Sequence, residues 1–195
     1  MHDAKTTKDR AWPWVTLLFV VTAMLASLRP EAFEYSRTAV LERGEWWRSL
    51  AGQWVHWSAR MAWLDLGVVA LLGCWSERES PKATRALYGV TVVLVGLLVH
   101  GWTDVERFRG ASGLSVALFA WVALQLAFER RDRSRLIGIA AFLGLLGKVL
   151  FEALTGRTLF AGPLPEGVVV LPVAHLAGLL AAVGVMLGLK YVVSE

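Results

Sequence analysis

Six apolar stretches alternate with charged ones along this chain of 195 residues. They run roughly over 11–28, 59–75, 86–102, 111–128, 136–154 and 168–193. Each reads as a helix crossing a membrane, although several fall short of the roughly 20 residues that cross a bilayer comfortably. Tilted helices or a locally thinned membrane would accommodate that. The first stretch follows a polar, basic start (Lys5, Lys8, Arg10) and so has the layout of a signal peptide. It ends in Arg29-Pro30-Glu31 instead of a small-residue cleavage site, and further spans follow, so it reads as a retained helix. The connection 29–58 is too polar to span. Arg29, Glu31, Glu34, Arg37, Glu42, Arg43, Glu45 and Arg48 are interleaved there with aromatic residues. A structureless loop of that length is uncommon, so the segment reads as a folded element lying partly in the headgroup region. The pattern predicts an all-α polytopic membrane protein, one domain over 1–195, with six transmembrane helices and a partly membrane-embedded first loop.

Composition sharpens this picture. The chain is 56% hydrophobic, with a mean hydropathy of +0.52, which excludes an ordinary soluble domain. Its net charge of +4 and pI near 9.6 would suit a nucleic-acid binder. In a polytopic membrane protein such an excess reads instead as orientation, so the expected partner is the lipid bilayer and not nucleic acid. Six spans place both termini on one side. Arg78, Lys82 and Arg85, and the dense cluster Arg130, Arg131, Arg133 and Arg135, then share the cytoplasmic face with the N-terminus. Trp46, Trp47, Trp54, Trp57, Trp63 and Trp75 crowd one region, as expected at a membrane interface. The single cysteine, Cys74, excludes an intrachain disulfide. No His, Cys, Asp and Glu residues show metal-ligand spacing and no phosphate-binding loop is present, so neither metal nor cofactor is implied.

The candidate chemistry begins at Arg109-Gly110-Ala111-Ser112-Gly113, where a charged segment gives way to the fourth apolar stretch. A serine between two glycines at a helix start is either an N-cap or an exposed hydroxyl approached closely by backbone. His175 lies inside the sixth stretch, within Pro172-Val173-Ala174-His175-Leu176-Ala177-Gly178. It is either an interhelical hydrogen-bonder or a base. In the six-span topology Ser112 and His175 fall at similar depth from the outer side. Gly113 and Ala117 on one helix, and Ala174, Gly178 and Ala182 on the other, form small-residue faces that allow close approach. A hydroxyl and an imidazole brought together in this way are a nucleophile and its base. No third carboxylate is evident, so the pair reads as a dyad. The backbone N–H groups of Ser112 and Gly113 at the helix start are the candidate oxyanion support.

Other polar residues are auxiliary candidates. Asp65 in an apolar helix must be paired or face water, and a buried hydrogen bond to the long loop or a neighbouring helix satisfies it as well as a catalytic role does. Lys148 and Glu152 lie four apart on one helix face and read as neutralising each other. Glu77 and Arg78 read as anchors of the turn after the second span. His56 and His100 read as loop hydrogen-bonders.

With these residues in place, the chain resembles the rhomboid intramembrane serine proteases. Gly44-Glu45-Trp46-Trp47-Arg48 followed by His56 is similar to the family's Trp-Arg loop motif. Gly110-Ala111-Ser112-Gly113 is similar to its Gly-x-Ser-Gly motif, Ala174-His175-Leu176-Ala177-Gly178 to its Ala-His-x-x-Gly motif, and Glu77 to its glutamate closing the second helix. Phe108-Arg109-Gly110-Ala111-Ser112-Gly113, and Lys148, Glu152 and Gly156 on the fifth helix, are most similar to the rhombosortase branch. The resemblance implies a Ser112–His175 endopeptidase in a bacterial cytoplasmic (inner) membrane with both termini cytoplasmic and its site on the outer side. It also implies single-span protein substrates with a C-terminal GlyGly-type sorting tail. The chain departs from the family at helix two, where Met61 and Asp65 stand in place of a histidine and an asparagine that support the oxyanion, and Val116 stands where a ring often packs on the histidine. These departures leave open an alternative, a catalytically impaired rhomboid-like protein that binds transmembrane helices.

Overall fold

The computed structural model describes residues 11–129, 133–159, 168–169 and 171–193. Lys5, Lys8, Arg10, Arg130 and Arg131, on which the expected orientation leans, lie outside the described residues. The chain is mostly helical, and a helix occupies each of the six predicted stretches. These are α1 (Trp14–Ala26), α5 (Ala59–Glu79), α6 (Pro81–Trp102), α7 (Ser112–Glu129), α8 (Arg133–Thr155) and α9 (Pro172–Val193). Of these, α5, α6 and α8 are long and apolar enough to cross a membrane, while Trp14–Ala26, Ser112–Phe128 and Pro172–Gly188 are shorter apolar helices. Helix boundaries depart from the apolar pattern by several residues, most clearly at the starts of α6, which begins before its apolar stretch, and α9, which begins inside its own. Both start on a proline, whose missing N–H costs nothing in a first helical turn. The outward faces of α1 and α8 are apolar, with Trp14, Leu18, Met24, Leu136, Ile137 and Leu154 exposed, as a lipid environment would permit.

Residues 29–58 contain α2 (Pro30–Phe33), strand β1 (Tyr35–Ser36), α3 (Arg37–Arg43), α4 (Arg48–Ala51) and a 3-10 turn over Gly52–Trp54. The Ser36 hydroxyl accepts from the N–H of Ala39 to start α3. Gly44, at φ +68°, closes that helix in the left-handed conformation that favours glycine. β1 pairs antiparallel with β2 (Arg107–Phe108), placing Tyr35 opposite Phe108. The pairing is only two residues long, yet it joins the first loop to the connector that leads into Ser112. Side chains extend the attachment. Arg37 donates to the carbonyls of His100 and Thr103 at 3.0 and 2.8 Å, and Gln53 donates to Val92 at 2.8 Å. Glu106 accepts from the N–H of Thr38 and the hydroxyl of Ser36, both at 3.1 Å. Burial pushes the Glu106 carboxyl up, but these hydrogen bonds and nearby Arg37 outweigh it and hold the group below the usual carboxylate range.

The centre of the bundle is α7, which packs against α5, α6, α8 and α9 and wholly buries Leu114, Leu118 and Trp121. Its contact with α9 is a contact between backbones. A Cβ on Gly178 would lie 2.2 Å from the Gly113 carbonyl oxygen and 3.0 Å from the Ala117 nitrogen. One on Gly113 would lie 2.7 Å from the Ala174 carbonyl oxygen. Only hydrogen fits at these positions, which is what the small-residue faces in the sequence require.

At the opposite end of the bundle Glu77, fully buried near the end of α5, takes over the start of α1. It accepts from the N–H groups of Val15 and Thr16 at 3.2 and 3.0 Å, from the Thr16 hydroxyl at 3.0 Å and from Arg85 at 3.1 Å. Its position in the sequence points to the turn after α5. The bond to Arg85 serves that turn, but the larger part of its bonding caps α1, whose first N–H groups have no partner within their own helix.

Candidate functional site

The site forms at the end of the bundle that carries β1, β2 and the first loop. Gly110 enters it at φ +145°, a conformation that side chains avoid, and its N–H donates to the Gly52 carbonyl at 3.0 Å. The next N–H, of Ala111, donates to His56 Nε2 at 3.3 Å. A turn strained at glycine and bonded on both of its N–H groups thus delivers Ser112 to the first position of α7. A Cβ on Gly110 would lie 3.9 Å from both Ser112 Oγ and Asp65 Oδ2, so the serine hydroxyl and the Asp65 carboxyl flank this turn. From the other side, the backbone contact between Gly113 and Ala174 brings α9 against α7. Ser112 precedes and His175 follows the two residues that meet there, and both side chains line one cavity of about 1090 Å³.

The cavity is walled by α5 through Met61, Leu64 and Asp65, by α8 through Leu145, Lys148 and Glu152, and by Ser112, Ser115 and Val116 of α7. It is largely apolar, with Asp65, Ser112, Ser115, Lys148, Glu152 and His175 among its polar members. His175 is buried, and its Nδ1 lies 2.9 Å from Glu152 Oε2, with the carboxylate out of line with the ring N–H. The same oxygen accepts from Lys148 Nζ at 2.7 Å, and Glu152 Oε1 accepts from the N–H of Leu159 at 3.3 Å. The expectation that no third carboxylate stands behind the histidine is therefore corrected. Sequence spacing pairs Glu152 with Lys148, and that pair is present, but the carboxylate also reaches across to α9.

The auxiliary candidates separate. Met61 lines the cavity and Ser58 caps its N–H, so at this position the chain presents a thioether in place of a hydrogen-bond donor. Asp65 lines the cavity, and its carboxylate stands 3.4 Å from His56 Nε2, while its backbone carbonyl accepts from the Ser115 hydroxyl at 3.1 Å. That bond fastens α5 to α7 directly beside the serine. His56 is buried behind the turn, outside the cavity lining. Because its Nε2 accepts from Ala111, it does not offer that nitrogen as a donor to the cavity, and its place is as a brace for the Ser112 turn. His100 lies elsewhere, with Nδ1 3.1 Å from the Tyr35 hydroxyl.

A second brace has no counterpart among the residues that the sequence singles out. Glu34, in the first loop, accepts from Arg107 through both carboxylate oxygens at 2.9 Å and from Arg109 Nε at 2.7 Å. Arg109 also lies over the Trp57 ring at 4.5 Å and is buried with Glu34. Arg48 holds this corner from below. It donates to the Glu31 and Glu34 carbonyls at 3.0 Å and pairs closely with Glu45, whose carboxyl that bond keeps below the usual carboxylate range. The charged residues before the serine motif are thus bound into the first loop, with Arg109 sealed under an indole ring. Charged residues in a segment without periodicity carry no signal of which will pair, so only the three-dimensional arrangement reveals this brace.

Among the described residues, no group of three or more His, Cys, Asp or Glu side chains is placed to hold a metal ion. The chain matches no protein-family model, and no curated protein matches it.

Proposed function

We propose that the chain is an intramembrane serine endopeptidase of the rhomboid type. In this reading it spans a bacterial cytoplasmic membrane with six helices, keeps both termini inside and works at the outer membrane–water boundary. The observation that carries it is the convergence of Ser112 and His175 on one cavity, from helices whose backbones touch one residue away from each. His175 takes the proton of Ser112 as the hydroxyl oxygen attacks the scissile carbonyl. It returns that proton to the departing amine as the acyl-enzyme forms, then activates the water that hydrolyses the ester. The developing oxyanion is met by N–H groups of the first turn of α7, those of Ser112 and Gly113, which have no partner within the helix and sit at its positive end. Removing one donor from such a hole costs about 3–4 kcal/mol of barrier, so Met61 in the wall predicts slow turnover unless water fills that place.

The gap between α5 and α8, mostly apolar in its lining, suits an extended segment at the end of a transmembrane helix. The resemblance to rhombosortases makes a single-span protein with a C-terminal GlyGly-type tail the substrate of choice. A second reading, a binder of transmembrane helices that does not cut them, is favoured by Met61 alone. Reconstituted protein incubated with a single-span reporter carrying Gly-Gly just outside its membrane helix separates the two. The proposal expects one cut at the outer boundary. A reporter that co-purifies with the protein and stays intact supports the binder.

A further inference from the structure

We propose that Glu152 is a positioning residue for His175, holding the imidazole with its proton on Nδ1 and its Nε2 free for Ser112. This inference rests on the protease reading and deepens it, turning the pair of Ser112 and His175 into a three-part relay with its carboxylate on α8.

A lysine and a glutamate four apart on one helix face can satisfy each other wherever water or headgroups reach them. Glu152 is not so placed. It is almost fully buried, and a single oxygen, Oε2, serves both Lys148 Nζ at 2.7 Å and His175 Nδ1 at 2.9 Å. Its second oxygen is occupied by the Leu159 N–H. A buried carboxylate is retained only where several donors converge on it, and here one of the donors belongs to another helix. The buried Nδ1 of His175 makes no well-aligned hydrogen bond in the substrate-free structure, and the Glu152 carboxylate at 2.9 Å is the acceptor standing beside it. The two imidazole nitrogens lie on opposite edges of the ring, so an Nδ1 committed to Glu152 leaves Nε2 as the only nitrogen that can take a proton from a hydroxyl in the cavity. A histidine that serves as a base needs that tautomer, and the partner on its far nitrogen selects it. The approach of the carboxylate is off the line of the N–H. Hydrogen bonds of substrate-free sites are commonly of this kind and tighten when the substrate fills the site. Lys148 completes the arrangement by holding the Glu152 carboxylate in place at 2.7 Å, and it is a member of the cavity wall itself.

The test compares the wild-type protein with Glu152→Gln, Glu152→Asp and Ser112→Ala in the reporter cleavage assay and in nitrogen-15 spectra of histidine-labelled protein without substrate. A glutamine keeps the shape but can present an N–H to Nδ1 and select the wrong tautomer. The expected result is a kcat lower by about 10²–10⁴-fold in Glu152→Gln with KM within about threefold, since the change acts on the proton transfer and not on binding. Partial recovery in Glu152→Asp and loss of the Nδ1–H signature of His175 in Glu152→Gln complete the expectation. A Glu152→Gln kcat within threefold of wild type overturns the inference, and so does a loss of activity with the His175 tautomer unchanged. Should Glu152→Gln fail to fold, the wild-type spectrum decides, because a His175 protonated on Nε2 contradicts the proposal. Cleavage by Ser112→Ala at the wild-type rate would instead overturn the protease reading, and the tautomer measurement would still decide separately whether Glu152 orients the ring.

Discussion

Ser112→Ala and His175→Ala are each expected to reduce reporter cleavage to background, a loss of about 10⁴-fold or more, while leaving the fold intact. In a nucleophile–base pair each member is useless without the other, so the single losses are similar in size and the double substitution adds little. The structural cost of each change differs and can be set apart. Ser112 lies at the start of α7 with its hydroxyl in the cavity, so alanine removes one oxygen and little packing. His175 is buried with Glu152 against its ring, and alanine there leaves the carboxylate with Lys148 and the Leu159 N–H. A modest fall in thermal stability is therefore expected for His175→Ala and almost none for Ser112→Ala. Equal and complete losses of activity with unequal losses of stability are the signature of a shared chemical step. Activity that fell in proportion to stability would point to misfolding instead.

Glu77→Ala is expected to destabilise the bundle by about 3–5 kcal/mol, among the largest effects of any single substitution away from the site. Four donors converge on this carboxylate, and three of them belong to the first turn of α1. Alanine leaves the buried N–H of Thr16 and the half-buried N–H of Val15 without partners, at about 1–3 kcal/mol for the buried one and less for the other. Arg85 is half exposed and can be solvated, so it contributes little to the loss. Glu77→Gln keeps an acceptor oxygen and should cost clearly less. Thermal unfolding in detergent measures both. Because Glu77 lies at the far end of the bundle from Ser112, the Glu77→Ala molecules that remain folded should still cut the reporter at the same bond.

Much of this arrangement is legible in the chain because it rests on local signals. Apolar length marks the helices, small residues every four positions mark the α7–α9 contact, and that contact puts Ser112 and His175 on one cavity. What stays hidden depends on which elements meet in space. The β1–β2 pairing is too short to show a period of two. Glu34 sits among several like-charged neighbours, and nothing in its spacing distinguishes it as the acceptor for Arg107 and Arg109. Glu152 is legible as a partner of Lys148 because that contact lies along one helix, but its reach to His175 crosses from α8 to α9. Glu77 is visible as a helix-ending acid, while the α1 turn that it caps lies more than sixty residues earlier. The proline starts of α6 and α9 set boundaries that hydropathy alone does not mark.

Everything proposed for the site depends on His175 activating Ser112. A fluorophosphonate probe reacts with an activated serine and not with a helix-capping one, so its attachment site tests that activation without requiring any particular substrate. Labelling is expected at Ser112 in the wild-type protein, identified by peptide mass, with its loss in His175→Ala. Equal labelling of Ser112 in the presence and absence of His175, or a folded wild-type protein that takes no label there, would contradict it.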